Sequence, residues 1–396
     1  MRIVLVADTF PPLRSSGAVQ LRDLSTEFVN QGHEIAVLVA SPSLSTPWVL
    51  EDFNGVEVLR LRTPPIKDIG YVRRTLGEFL MPFVMWHNYK KSPLCHRVWD
   101  GVVWYSPSIF LGPIVNFLKK TSQCNSYLII RDIFPEWAVD MGLMGRGLPY
   151  LFFKSIAKYQ YSVADTIGIQ TPGNRVYFNN ESSHSSCRVE VLQNWLADHP
   201  GRACSIDLSI SSLRGRKIFV YAGNMGIAQG MGILLDLAAA MKYRADVGFL
   251  FVGRGSDALL LCQDALARGL DNVLFYDEID PYEIPMLYQQ CDIGLVALDP
   301  RHKTHNIPGK FLSYMQAGLP VLAAVNPGND LVDLIAKERV GQVCADALLA
   351  TLIYKAEHLI DNLQMDASMH DRCKALAARL FSPSVAVRQI VEALRA

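Results

Sequence analysis

Short apolar runs recur along this chain, and each stops at a polar or glycine-bearing loop. Ile3–Ala7 is apolar throughout and meets Asp8 at once. Glu34–Ala40, Val56–Leu61, Val102–Tyr105, Tyr127–Arg131, Thr166–Gln170 and Val189–Leu192 repeat the pattern. Runs of this length that do not alternate suit strands buried on both faces. Segments with helical spacing, such as Gln20–Asn30, lie between them. Strands alternating with helices predict parallel sheets joined by right-handed crossovers. A polar stretch, 197–216, reads as an interdomain linker. Beyond it come Ile218–Ala222, Val247–Val252, Asn272–Phe275, Ile293–Ala297 and Val321–Ala324, again with helices between. Ser382-Pro383 reads as an N-cap with Pro at the first helical position, opening a last helix to Leu394. The pattern predicts an α/β protein of two doubly wound, Rossmann-like domains facing across a cleft. They span 1–200 and 201–380, and a helix at 381–396 packs back towards the first.

Composition agrees with two full cores. The chain has 396 residues, of which 50% are hydrophobic and 19% charged. That length exceeds one ordinary domain. A formal charge of zero argues against a nucleic-acid binder that works by bulk charge. The eight Cys are scattered, with no Cys-x-x-Cys pair, and read as reduced thiols of a cytosolic protein without structural zinc. The N-terminal run is too short for an export signal, and no segment offers the roughly 20 apolar residues that span a bilayer.

Ligands of doubly wound sheets bind beyond the C-terminal strand ends, so the loops there carry the candidate chemistry. In HNIPGKFLSYMQAGLPVLAA, from His305 to Ala324, Pro308-Gly309 turns the chain. A helix then starts near Lys310 and ends at Gly318. Its free N–H groups, its dipole and the Lys310 charge together suit a phosphate. Gly223-Asn224-Met225-Gly226, running on to Gln229-Gly230, follows one strand, and Gly253-Arg254-Gly255 follows the next. These glycines let backbone approach a ligand closely, and Arg254 is either a phosphate ligand or a solvated charge. In the first half, Ser16-Gly17 precedes a helix and could contact donor or acceptor. Arg131, Asp132 and Glu136 gather at a strand end, either as an ion-pair network or with a catalytic role. Trp137 beside them could stack on a sugar or pack in the core.

Over essentially its whole length the chain resembles the GT-B glycosyltransferases of glycosyltransferase family 4. The matching pieces include FPPLRSSGAVQLRDLSTEFVNQGHEIAVL, YAGNMGIAQGMGILL, FLFVGRG and IPGKFLSYMQAGLPVL. YAGNxGxAQG with RDIFPE and VLQNW is most similar to the bacterial O-antigen and capsule branch that includes N-acetyl-L-fucosamine transferases. The resemblance implies a metal-independent, retaining transfer from a nucleotide sugar, UDP-linked, to a lipid-linked or saccharide acceptor. No cofactor is implied beyond the donor substrate. It also implies a cytoplasmic location, with contact at the inner membrane. Gly223, Asn224, Gln229, Arg254, His305, Lys310 and Ser313 fall on donor-binding positions. Lys310, Arg254 and Asp132 are the candidate catalytic residues, and Ser16, Gly17, Arg131, Glu136 and Trp137 the acceptor-side ones. The chain departs from the family at several of these positions. The two acidic positions of the Glu-x7-Glu motif are His305 and Ser313. The usual Arg and Lys of the first C-terminal loop are Asn224 and Gln229. The strand end that often carries a histidine reads Arg131-Asp132.

A nucleotide-sugar 2-epimerase of the same architecture is one alternative. An inactive glycan-binding or scaffold homologue is another, and the missing carboxylates at His305 and Ser313 are its support. Finally, Arg62 to Asn125 holds nine Lys/Arg against three Asp/Glu. Within it, the apolar Phe79–Trp86 is flanked by Arg73-Arg74 and Lys90-Lys91. This segment is either a surface for an anionic membrane or an insertion packing on its own domain.

Overall fold

The computed structural model describes every residue except 14, 67–68, 179–186, 227–228 and 300–305. The chain forms two compact units, Met1–Trp195 with Pro383–Ala396, and Leu196–Ser382.

The first unit is built on β1 (Arg2–Ala7), β2 (Glu34–Ser41), β3 (Trp48–Phe53), β4 (Val56–Arg62), β5 (Gly101–Tyr105), β6 (Asn125–Ile129), β7 (Thr166–Ile169) and β8 (Arg188–Val191). Their order in the sheet is β3-β4-β2-β1-β5-β6-β7-β8. All pairs are parallel except β3 with β4. Successive side chains leave opposite faces, so the central strands feed two cores. Val4, Val6, Leu38 and Trp104 lie in one, and Ile3, Leu5, Val37 and Val103 in the other. The last helix, Pro383–Arg395, closes the second core with Val387, Ile390 and Leu394. Gly101 admits it, because a Cβ there would stand 2.7 Å from the Leu394 side chain. Gln389 adds a hydrogen bond from its amide to the Val191 carbonyl at 2.9 Å.

The second unit carries β9 (Lys217–Ala222), β10 (Val247–Val252), β11 (Val273–Tyr276), β12 (Ile293–Ala297), β13 (Val321–Ala324) and β14 (Gly341–Cys344). The order is β11-β10-β9-β12-β13-β14, parallel throughout. The polar stretch expected to be a linker belongs to this unit. Leu196 N–H donates to the Phe381 carbonyl at 2.9 Å, Arg202 N–H to Tyr282 at 2.7 Å, and Leu208 N–H to Gln290 Oε1 at 2.9 Å. Its polar composition reflects a backbone bonded to neighbouring loops, not a tether.

Each sheet reverses direction once, between β1 and β5 and between β9 and β12. The crevice outside these strand ends is where such sheets bind ligands. It places the loops after β1 and β9, and the Lys310 helix after β12, at the switch points. Ile390 is fully buried in a core whose other members come mostly from the first strands and the helix after β1, at the far end of the sequence. Ile390→Ala is expected to destabilise the first unit by about 2–5 kcal/mol, read as a lowered denaturant midpoint. An unchanged midpoint would detach this helix from that core.

Candidate active site

The second unit's site is built around one helix, Gly309–Ala317. Gly318 ends it at φ +77°, a left-handed conformation that glycine adopts without strain. At its other end Pro308 supplies no side-chain cap; the Phe311 N–H turns back to the Pro308 carbonyl at 2.9 Å, and the N–H groups of Gly309 and Lys310 before it face the open end of the helix. Tyr314 fixes the helix to the sheet. Its Oη lies 3.0 Å from the Val220 carbonyl and 3.2 Å from that of Leu295, on β9 and β12. Gly294 makes room for the ring, since a Cβ there would sit 2.5 Å from it. Sequence reasoning missed this pair. Its one signal was a glycine inside an otherwise apolar strand.

Lys310 is thereby carried to the end of β9. Its Nζ donates to Tyr221 Oη at 2.9 Å and lies 4.2 Å from the centre of the Tyr221 ring. Tyr221 Oη in turn donates to the Asn224 carbonyl at 2.6 Å. Among the described residues no carboxylate pairs with Lys310. Burial alone pushes its ammonium down to about 8. Tyr221, also missed from sequence, is held protonated by burial, so it adds no opposing charge.

The glycine loops pack against each other. Gly253 has φ +143°, and a Cβ on it would meet the Gly223 carbonyl oxygen at 2.1 Å; a Cβ on Gly255 would meet that of Met225 at 2.2 Å. Gly223 N–H donates to Val252 O, and Met225 N–H to Arg254 O. Two backbones thus lie in direct contact, and the glycines are needed for that contact. Gly223 itself faces Lys310, whose Cε lies 3.5 Å from its would-be Cβ. Gln229 Oε1 accepts from Asn224 Nδ2 at 3.0 Å and from Gly226 N–H at 3.1 Å, which closes the loop on itself.

Other donor-side candidates are placed differently. The Arg254 side chain is 79% exposed and paired with Glu278 at 2.7 Å. Ser313 Oγ donates to the Lys310 carbonyl at 3.0 Å and lies 3.5 Å from Tyr288 Oη. His305 lies outside the described residues.

In the first unit, Ser15 rather than Ser16 caps the helix after β1, accepting from Ala18 N–H at 3.3 Å, and its hydroxyl lies 3.0 Å from that of Thr9. Ser16 is exposed. Gly17 fits against Thr9 and Tyr105, whose atoms come within 3.3 Å of its would-be Cβ. Arg131 is buried. Its guanidinium donates to the carbonyls of Leu192 at 3.0 Å and Gln193 at 3.4 Å, and lies 4.6 Å from the Trp195 ring centre. Trp195 Nε1 donates to the Gln20 carbonyl at 2.7 Å, and Tyr105 Oη to Gln20 Oε1 at 2.7 Å. Arg131 therefore joins the strand ends to the helix after β1. Glu136 pairs with Lys154 at 2.5 Å, and Trp137 lies half-buried beside Phe134. Asp132 is exposed at the end of β6. Among the described residues no group of three His, Cys, Asp or Glu is placed to hold a metal.

Residues 216–362 match the family model described as glycosyl transferases group 1. The chain is 24% identical to the probable glycosyltransferase WbjE of Pseudomonas aeruginosa over 55% of its own length. That match spans 55% of WbjE, so the chain covers about half of this relative. It is 23% identical to the putative colanic acid biosynthesis glycosyl transferase WcaI of Escherichia coli K12, covering 79% of this chain and 78% of WcaI. Among solved structures, a sucrose-phosphate synthase from Thermosynechococcus elongatus superposes with TM-score 0.76 at 14% identity, over 100% of this chain and 98% of the other. Anabaena Alr3699/HepE in complex with UDP does so with TM-score 0.68 at 15% identity, over 100% of both chains. The two-unit architecture is the GT-B fold.

The lowered Lys310 value has a thermodynamic consequence. Its folded-state pKa lies below the unfolded one, so the charged form opposes folding at neutral pH. Stability should rise as pH climbs from about 8 towards the unfolded value near 10.5. Lys310→Met is expected to raise the second unit's stability at pH 7 by up to about 3 kcal/mol, an advantage that fades by about pH 10. A variant no more stable than wild type at pH 7 would contradict the burial of this charge.

Proposed function

We propose that this chain is a retaining, metal-independent glycosyltransferase using a UDP-sugar donor. The acceptor is lipid-linked or saccharide, in bacterial surface polysaccharide synthesis at the cytoplasmic face of the inner membrane. The observation that carries the reading is Lys310. It is a cation on a phenol instead of a carboxylate, at the first turn of an uncapped helix, where the second sheet reverses direction. A charge kept in that state at the cost of folding stability suits an anionic ligand. The likenesses to WbjE and WcaI support the polysaccharide setting, and Alr3699/HepE bound to UDP supports the nucleotide.

In this reading the diphosphate sits on the first turn of the Gly309–Ala317 helix, beside Lys310 and the Gly223 backbone. The bond from the anomeric carbon to the diphosphate breaks, one to the acceptor oxygen forms, and the acceptor's hydroxyl proton passes to the departing phosphate. Negative charge develops on the leaving phosphate, and Lys310 stabilises it more in the transition state than in the bound donor. Asn224 and Gln229, neutral where the resembling family has cations, shape the loop without adding charge. Arg254 would have to leave Glu278 to reach the phosphates. Ser313 offers a hydroxyl to the ribose. Asp132, Ser16, Gly17, Glu136 and Trp137 serve the acceptor from the first unit, with Arg131 holding their loops in register. The sugar in this reading is an N-acetylated amino sugar such as N-acetyl-fucosamine.

Thermal shift with a panel of nucleoside diphosphates is expected to single out UDP. The shift should vanish in Lys310→Ala, which should also lose about 10²–10³-fold in kcat. UDP affinity should weaken above about pH 8, where free Lys310 loses its proton. An unchanged rate in Lys310→Ala would remove this residue from the mechanism, and no stabilisation by any nucleotide would favour the scaffold.

A further inference from the structure

The helix Tyr71–Tyr89 is apolar on two opposite faces, and its own unit covers only one. Gly77, Met81, Met85 and Tyr89 are buried, and Trp86 packs on Phe117. On the opposite face, Val72, Leu76, Phe79 and Phe83 follow at spacings of four, three and four, and are 84%, 58%, 43% and 53% exposed. That spacing makes one continuous stripe along the helix. The stripe continues onto the helix Leu148–Val163. The Phe79 and Phe152 rings lie 6.4 Å apart, and Leu151 beside Phe152 is 56% exposed. Isolated exposed apolar residues are ordinary, whereas a contiguous patch crossing two helices marks a surface that meets something.

Charge at the two ends of the stripe indicates what it meets. Arg73 and Arg74 stand at one end and the exposed Lys90 and Lys91 at the other, against the single acid Glu78, which Arg74 already holds at 2.9 Å. Two copies of this helix packed antiparallel on their stripes would bring Arg73-Arg74 of one against Lys90-Lys91 of the other, and like charges there would repel. An anionic lipid surface matches both features. Apolar side chains enter the acyl boundary and the basic ends meet headgroups. Among the described residues no helix is long and apolar enough to cross a membrane, which leaves a helix lying in the interface plane.

We infer that the face formed by Val72, Leu76, Phe79, Phe83, Leu151 and Phe152 is a docking surface for an anionic bilayer. This deepens the reading of a membrane-side transferase by naming the surface. This face differs from the Phe79–Trp86 stretch read from sequence, because Met81, Pro82 and Met85 of that stretch are buried. The same helix packs on its domain with one face and presents another, so the two sequence readings fall on different faces.

The test is co-sedimentation of the full chain with vesicles of phosphatidylglycerol and phosphatidylethanolamine at low salt, and with phosphatidylcholine vesicles for comparison. Wild type should bind the anionic vesicles and release with added salt. Leu76→Asp/Phe83→Asp, and separately Arg73→Gln/Lys90→Gln/Lys91→Gln, should each weaken binding at least tenfold. Because every changed side chain is exposed, unchanged thermal unfolding is expected and would show that the variants fold. Wild type that stays in the supernatant at low salt would overturn the proposal. So would a wild-type dimer that Leu76→Asp/Phe83→Asp converts to monomer, which would assign the face to a second copy. Transfer to a soluble acceptor, measured alongside, separates the two readings. Activity without vesicle binding removes the surface alone, and vesicle binding without transfer removes the enzyme alone.

Discussion

The contact of Tyr314 with Gly294 is the constraint on which the second unit's site depends. Any side chain at 294 would occupy the space of the ring. With glycine there, Tyr314 reaches through to carbonyls on β9 and β12, the two strands between which the sheet reverses. Strands that diverge at a switch point leave a gap at their ends, and this tyrosine fixes a helix over that gap. The helix then has one rotational setting, and at that setting Lys310 lies on Tyr221. The position of the charge thus follows from a packing contact one helical turn away.

The glycine loops serve a packing that their spacing in sequence does not reveal. Sequence spacing marks Gly223, Gly253 and Gly255 as places where backbone comes close to something. For Gly253 and Gly255 that something is the neighbouring loop, whose carbonyl oxygens a Cβ would strike. Close packing of two loops makes the strand ends rigid, which is what a phosphate site needs, since donors that do not move cost nothing to reorganise. The glycines therefore support a site through the scaffold as well as through any contact with ligand.

The alternation of strand and helix was legible because strands buried on both faces must be short and apolar, and most elements of both sheets follow from it. β3 was not, because it lies at an edge, half exposed, and its Trp48–Phe53 sequence mixes acids with large apolar residues. β14 was hidden for the opposite reason, since four residues with a glycine and a glutamine carry too little pattern. The Gly318 cap and the Lys310 helix could be read locally, because turn chemistry is a property of neighbouring residues. Tyr221 and Tyr314 could not. Each looks like ordinary core in its own segment, and its role comes from partners in other elements, Lys310 for Tyr221 and Gly294, Leu295 and Val220 for Tyr314.

Arg131 and Lys310 show why a cation at a strand end has to be judged by its partners. From sequence Arg131 reads as one of three charges at a strand end, and Lys310 as a cation on the first turn of a helix. Arg131 gives its two terminal nitrogens to the carbonyls of Leu192 and Gln193 and its face to Trp195, while its buried Nε has no partner among the described residues. A buried guanidinium answered in that way holds loops together, and removing it would leave carbonyls unsatisfied. Among the described residues Lys310 has only the oxygen and the ring of a protonated phenol, which solvate an ammonium without neutralising it. Its charge is lowered in basicity by burial, and a negative group brought beside it would relieve that strain. In Arg131 the fold uses a charge to complete itself, whereas in Lys310 it keeps a charge that a ligand's phosphate would complete.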